Sequence, residues 1–168
     1  MATSFSLEHC FPHISLEKFE AHLNDPALNT MLEKGLDFEE RKLLIKDDKK
    51  NGEVVWTFRV KKLGQWPSAV KKIIQNDSFS WQEISHYVPE EHCVHWEIVP
   101  EIKGIKFHGQ GVWKLSKSGK GCKRVIEGKI SVDIPFLGKV VESFIVNELK
   151  NTYEIEPKIQ EKFYASVA

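Results

Sequence analysis

The most constraining feature of this sequence is a run of six strand-like segments between residues 38 and 132, followed by one long amphipathic segment. In residues 54–61, Trp56, Phe58 and Val60 alternate with polar side chains, as in a strand that is buried on one face. Asn51-Gly52 precedes that segment and is a strong hairpin signal. The pattern predicts antiparallel strands joined by short turns, at residues 38–46, 54–61, 78–88, 93–102, 105–115 and 122–132.

The residues before this run predict a further strand and two short helices. Residues 5–11 alternate apolar and polar side chains, which is typical of a half-buried strand. Ser15 is suited to cap the first helix, and Asp25 the second, which has Pro26 at its first helical position. In the segment 38–46 that follows, strand alternation places Leu43 and Ile45 on one face.

The C-terminal segment predicts one long helix, from Gly138 to Ala165. Its apolar side chains recur at helical spacing, with lysine and glutamate between them. Pro157 lies inside this pattern, and because proline lacks a backbone N–H we expect a kink or a break near Ile155. The apolar helix face is Val141, Ile145, Leu149, Thr152, Ile159 and Phe163.

This order of elements predicts an α+β fold. We expect a curved antiparallel sheet of about seven strands, two short helices, and the long C-terminal helix laid over the concave face. One helix is too narrow to fill such a concavity, so a cavity is expected between helix and sheet. The length of 168 residues predicts one domain over the whole chain.

Composition limits the function classes. Lysine and arginine total 24, aspartate and glutamate total 24, and the net charge is zero, which argues against a polybasic nucleic-acid binder. The first eight residues have neither a basic region nor a long apolar stretch, so no signal peptide is expected. Three widely spaced cysteines do not form a disulfide framework and are typical of reduced thiols in a cytoplasmic protein.

Two stretches of the sequence resemble the START-like, or SRPBCC, superfamily with its helix-grip fold. The first is FPHISLEKF at residues 11–19 followed by Asn24-Asp25-Pro26, which is similar to the passage from first strand to paired helices in these proteins. The second is RVIEGKI at 124–130 with IPFLGK at 134–139, which resembles an uncharacterised subfamily. The resemblance covers nearly the whole chain and implies that a lipid or another hydrophobic small molecule binds beneath the last helix.

Aromatic side chains on the strands are the candidate walls of that cavity. A tryptophan ring can wall an apolar cavity while its N–H orients a polar group of the ligand. By strand alternation, Arg124 shares a face with Ile126 and Ile130, so it is the candidate for fixing a polar headgroup. The predicted ligand-binding residues are Phe58, Trp81, Trp96, Trp113, Arg124, Phe144 and Ile145.

The sequence leaves three functions open. The first is a non-catalytic carrier or sensor of a hydrophobic molecule, and the second is a small cavity enzyme of cyclase or dehydratase type. The third is a protein-interaction module of the kind found among chaperone cofactors of the superfamily. Lysine-rich segments and Trp66 also suggest a transient membrane contact, whereas the oligomeric state and the ligand stay open.

Motifs for metal or nucleophilic chemistry are weak. His86, His92, Cys93 and His95 are the most tempting ligand group, but the sequence has no second closely spaced pair, so no metal site is predicted. The chain has no G-x-S-x-G, HExxH or P-loop motif. We therefore predict no catalytic residues and no cofactor.

Overall fold

A computed structural model describes residues 2–64, 66–74 and 78–167, with the backbone alone for residues 69, 73 and 74. Its elements, in chain order, are the strand β1 (Thr3–Phe11), the helices α1 (Leu16–Ala21) and α2 (Pro26–Gly35), the strands β2 (Glu40–Asp48) and β3 (Val54–Leu63), the helix α3 (Ser68–Ile74), the strands β4 (Ser78–Val88), β5 (Cys93–Pro100), β6 (Lys106–Ser118) and β7 (Gly121–Asp133), and the helix α4 (Gly138–Ser166).

The strands form one antiparallel sheet with the order β1-β7-β6-β5-β4-β3-β2. Strands β2 to β7 are neighbours in chain order, and the last strand, β7, also pairs with the first strand, β1. The hairpin between β2 and β3 turns at Gly52, which has a φ of 83° and donates its N–H to the carbonyl of Lys49. The predicted seven-stranded antiparallel sheet with a long C-terminal helix is confirmed.

The edge strand β2 departs from the predicted alternation. Its register against β3 shifts between Leu43 and Ile45, so Leu44 is an inserted residue. Leu43 lies opposite Phe58 and Ile45 opposite Thr57, which point to opposite faces of β3, so the prediction that Leu43 and Ile45 share a face is wrong. Leu43, Leu44 and Ile45 are all exposed. A bulge at a sheet edge disrupts the ladder locally, and it makes pairing with another strand less favourable.

The two short helices begin where capping chemistry predicts. The Ser15 hydroxyl accepts the N–H of Lys18, and the Asp25 carboxylate accepts the N–H of Ala27 at 2.9 Å. Pro26 occupies the first turn of α2, where its missing N–H would have no partner in any case. These caps fix where α1 and α2 begin, after β1 has ended at Phe11.

Helix α4 packs over the concave face, against β7, β1 and α2. At the end of α2, a Cβ on Gly35 would collide with Ile159 Cδ1, so glycine permits the close approach of these two helices. The helix continues unbroken through Pro157, so a break near Ile155 is wrong, and the alternative of a kink there stays a prediction. Proline lacks the N–H that would pair with the backbone carbonyl of Tyr153 four residues earlier, and the nearby backbone of Tyr153 acts to raise the pKa of His9.

Glu142 fixes the first turns of α4 to the sheet. Its buried carboxylate accepts the backbone N–H of Val132 at 2.9 Å, the hydroxyl of Thr3 at 2.8 Å and the ammonium of Lys139 at 3.0 Å. Burial alone raises the pKa of this carboxyl, but the three donors together lower it below its ordinary value. The helix start is therefore joined to both β7 and the edge strand β1.

The buried apolar side chains of the described residues fall into three clusters. One cluster lies around α1, α2 and the end of α4, one beneath the first half of α4, and one on β3. Phe19, Trp96 and Trp56 belong to these three clusters respectively, and all three residues face the same cavity. Among the described helices, none is long and apolar enough to cross a membrane.

Candidate functional site

A cavity of about 200 Å³ lies between the concave face of the sheet and α4. Its walls are mostly apolar and aromatic, and they come from β2 to β7, from α1 and α2, and from residues 144–164 of α4. Apolar walls with a few polar groups are typical of sites for hydrophobic small molecules. The aromatic side chains that line it are Phe19, Phe38, Trp56, Trp66, Phe79, Trp81, Trp96, Phe107, Trp113, Phe144, Tyr153 and Tyr164.

Six of the seven predicted site residues lie on these walls. Trp81, Trp96, Trp113 and Arg124 line the cavity from the sheet, and Phe144 and Ile145 line it from α4. Their role in binding a ligand stays a prediction.

Phe58 is the exception among the predicted site residues. It is only 2% exposed, and the Arg41 guanidinium lies 4.4 Å above the centroid of its ring. Phe58 therefore lies one layer behind the wall, because Arg41 from the neighbouring strand β2 covers it.

Arg124 is the centre of a buried polar network at one part of the cavity. Its guanidinium donates to Glu156 Oε1 at 2.9 Å through Nη1 and to His9 Nδ1 at 3.0 Å through Nη2. Gln160 donates its amide to the same Glu156 oxygen at 2.9 Å. Arg124 and His9 are direct cross-strand neighbours on β7 and β1, so the sheet register places them together.

The network fixes the protonation state of His9. An arginine side chain only donates, so His9 Nδ1 must accept and carries no proton. In the neutral ring the other nitrogen therefore keeps its proton. Burial, followed by the charge of Arg124, lowers the pKa of His9 below its ordinary value. His9 is therefore neutral near pH 7 and serves as an acceptor for Arg124.

The charged side chains on the walls pair one to one. Besides Arg124 with Glu156, Arg41 lies 3.5 Å from Glu83 and Lys62 lies 4.0 Å from Glu148. Together these are three cationic and three anionic lining residues. The described walls therefore carry no net charge.

Several buried polar atoms lack a hydrogen-bond partner in the described part of the chain, and all of them belong to residues that line the cavity. They are the indole Nε1 atoms of Trp66, Trp81 and Trp96, Nε of Arg124 and Oε1 of Gln160. Buried polar atoms in native proteins are nearly always hydrogen-bonded, so each of these atoms needs an explanation. Their concentration at one cavity indicates polar atoms, from a ligand or from water, that would complete the site.

The residues that surround Arg124 were not among the ligand-binding residues predicted from the sequence. Glu156 and Gln160 lie four residues apart on α4, among positions that follow the apolar helix face, and this spacing was the available signal. His9 falls on the same face of β1 as Phe5 and Leu7, so strand alternation also predicted that the His9 side chain points inward. The contacts of Glu156 and His9 with Arg124, and of Gln160 with Glu156, depend on sheet register and helix placement, which the sequence alone does not specify.

The histidine–cysteine group that was weighed as a metal site, and not predicted to be one, is divided by the structure. His86 Nε2 lies 2.9 Å from Glu53, and His92 Nδ1 lies 2.8 Å from Glu20. Cys93 and His95 instead gather with an acidic residue on the outer face of the sheet. All three cysteines of the chain are free thiols.

Comparison with known proteins identifies the family and the fold. Residues 7–163 match the family described as "Protein of unknown function (DUF2505)". No curated protein matches the chain. Among solved structures, the protein TTHA0849 from Thermus thermophilus is similar with a TM-score of 0.69 at 14% identity, over 98% of this chain and 100% of that one.

Two further solved structures are similar over nearly their whole lengths. A START superfamily protein from Mycobacterium smegmatis has a TM-score of 0.58 at 13% identity, with 99% of both chains covered. The Zhui aromatase/cyclase from Streptomyces sp. R1128 has a TM-score of 0.56 at 10% identity, with 96% of this chain and 92% of that chain covered. The expected START-like helix-grip fold is thereby confirmed.

Proposed function

We propose that this chain, which belongs to the DUF2505 family, binds an uncharged hydrophobic small molecule between its sheet and α4, as a carrier or sensor. The observation that carries the proposal is an aromatic cavity whose charged lining residues are all paired. A START-like fold implies a hydrophobic ligand, and the wall chemistry refines that implication to a ligand without net charge.

Apolar contact supplies the affinity in this account. Each Å² of apolar surface removed from water contributes roughly 25 cal/mol, so a few aromatic contacts suffice for a useful affinity. An ionised headgroup would lose its hydration without gaining an unpaired countercharge on the walls, which is unfavourable. A neutral hydroxyl, by contrast, would accept from a buried donor and donate to the buried acceptor that lack partners.

Polar atoms near Arg124 orient the ligand in this proposal. Arg124 Nε is a donor and Gln160 Oε1 is an acceptor, and both side chains are held by the same Glu156 oxygen. A hydroxyl group both accepts and donates, so it matches this pair. We infer that the ligand carries a hydroxyl or a similar neutral group at this part of the cavity.

Trp66 is the side chain that would move to admit a larger ligand. The cavity is smaller than the roughly 300–1,000 Å³ that is typical for drug-sized ligands. Trp66 lies in the connection between β3 and α3 and packs on Phe144 and Phe79, with ring centroids 4.9 and 5.2 Å apart. Displacing this ring would widen the cavity without breaking a strand pair.

The uncharged dye Nile red tests the proposal, because its fluorescence rises in an apolar environment. We expect saturable binding, and about tenfold weaker binding in Phe144→Ala, because that ring would contact the dye. Phe136→Ala is the matched control, since Phe136 is fully exposed and outside the cavity lining, and it should bind like the unchanged chain. Equal affinity in all three proteins would contradict the proposal.

A further inference from the structure

The outer face of the sheet carries a second cluster, formed by Glu91, Cys93 and His95. Cys93 Sγ lies 3.5 Å from Glu91 Oε2 and 3.6 Å from His95 Nε2, and the ligand atoms of all three residues lie within 4.8 Å of one another. Cys93 and His95 are two residues apart on β5 and share its outer face, whereas Trp96 points to the cavity. The cluster therefore belongs to a different surface from the proposed ligand site.

Local backbone structure brings the glutamate to this face. Glu91 ends a 3₁₀ turn that runs from Pro89 to Glu91. His92, the next residue, has a φ of 49°, and this left-handed conformation reverses the chain into β5. Glu91 and Cys93, two residues apart, therefore approach each other across the turn.

The distances from Cys93 Sγ to Glu91 and to His95 match those of a tetrahedral zinc site. Zinc binds thiolate sulfur at about 2.3 Å and imidazole nitrogen or carboxylate oxygen at roughly 2.0–2.2 Å. At a tetrahedral angle, the sulfur should therefore lie about 3.5 Å from the nitrogen and from the oxygen. The two distances from Cys93 Sγ agree with this value.

The charges and the access are also suitable for zinc. A thiolate and a carboxylate together neutralise a divalent cation, and the neutral imidazole adds no charge. Glu91 and His95 are exposed, which leaves a path from solvent to the buried sulfur. Lys114 on β6 is the cross-strand neighbour of Cys93, and its positive charge would disfavour a metal ion nearby. Because Lys114 is exposed, its flexible ammonium can turn away into water.

We propose that Glu91, Cys93 and His95 bind one zinc ion, with a fourth position open to solvent. Three protein ligands and one open position are typical of zinc sites that hold an exchangeable water or ligand. The neighbouring His86 is outside the ligand set, because its Nε2 already pairs with Glu53.

Metal titration of the chelator-treated, full-length protein tests this proposal. With Zn²⁺ in competition with a chromophoric chelator, we expect one equivalent bound per chain. With Co²⁺, we expect a thiolate-to-metal charge-transfer band in the near ultraviolet. Cys93→Ser should abolish the band, and His95→Ala should weaken zinc binding at least about tenfold. Cys10→Ser, which removes an exposed thiol elsewhere, should change neither result.

The proposal is overturned if zinc binds below one equivalent, or if the cobalt band persists in Cys93→Ser. Because Cys93 is buried and its replacement could impair folding, the exposed substitutions His95→Ala and Glu91→Gln give an independent test. Unchanged zinc affinity in both would also overturn the proposal. Nile red binding by these two variants should equal that of the unchanged chain, which separates the zinc site from the cavity.

Discussion

The rings of Trp96 and Phe5 lie 6.0 Å apart, although two strands separate β5 from β1. The residues between them in the same row of the sheet are Gly111 and Gly128. Because neither glycine has a side chain, the indole of Trp96 lies across both of them and reaches Phe5. The two glycines leave room for Trp96 to lie against the sheet, and Trp96 in turn lines the cavity.

Adding a methyl group to this row should destabilise the fold. A Cβ at Gly128 would collide with the Trp96 ring and lie 2.8 Å from Phe5 Cε1. We expect Gly128→Ala to lower the free energy of unfolding by about 1–3 kcal/mol, because overpacking forces rings from their positions. Urea denaturation measures this change.

Gly109→Ala is the matched control for that substitution. A Cβ there would lie 3.0 Å from the end of the Ile130 side chain, which can shift by a few tenths of an ångström. Gly109→Ala should therefore lower the free energy of unfolding clearly less than Gly128→Ala does. An equal cost for both would show that the contact with Trp96 is not the cause.

Replacing Arg124 should lower the free energy of unfolding far more than replacing a surface arginine. Arg124 is 2% exposed, and Arg124→Met would leave Glu156 buried without its cation, which we expect to cost about 3–5 kcal/mol of unfolding free energy. Arg59 pairs with Glu101 at 3.0 Å but is partly solvated, so Arg59→Met should cost less than about 1 kcal/mol. Similar losses in both variants would contradict the buried network.

His9 should make stability depend on pH. Its pKa in the folded chain is lowered by burial and by Arg124, with Glu156 and the Tyr153 carbonyl acting in the opposite direction. Below about pH 6.5 the unfolded chain therefore takes up a proton at His9 before the folded chain does. The free energy of unfolding should consequently fall as pH decreases through this window.

Urea denaturation at about pH 7.5 and about pH 5.5 measures that contribution. The loss of stability between the two values should be smaller in His9→Gln than in the unchanged chain. His13→Gln, which replaces an exposed histidine, should keep the full loss. The assignment to His9 fails if His9→Gln loses as much stability as the unchanged chain.

The cavity should prefer a neutral headgroup to an anionic one. Decan-1-ol and decanoate have the same chain length, and only the second brings a charge that the paired walls leave uncompensated. In displacement of Nile red near neutral pH, we expect decan-1-ol to bind more tightly. Tighter binding of decanoate would show that Arg124 is available to an anion, and the charge argument would then be wrong.

Sequence patterns predicted the elements of this fold well because each has a local cause. Period-two alternation marked the strands, and Ser15 and Asp25 marked the helix starts. The bulge at Leu44 could not be predicted, because an exposed edge strand has no core face to define its register. The unbroken helix at Pro157 was not predicted because the local pattern does not include the packing of α4 against β7, β1 and α2.

The candidate site was predictable only in part, for a similar reason. Strand parity identified the apolar walls and the inward direction of Arg124. It did not identify Arg41 as the cover of Phe58, or Glu156 as the partner of Arg124, because both depend on contacts between elements. The role of Gly128 likewise depends on a row that spans four strands.

Native mass spectrometry with identification of the bound molecule shows whether a hydrophobic ligand occupies the cavity beneath α4. Thr152 lines the cavity from α4, so Thr152→Trp should fill it, whereas Asn151→Trp places the same ring on the exposed side. After incubation with a broad mixture of lipids and other hydrophobic molecules, we predict one uncharged hydrophobic molecule on the unchanged chain and on Asn151→Trp, and none on Thr152→Trp. A chain that stays free of any such molecule, or equal loading of all three proteins, would contradict a binding cavity beneath α4.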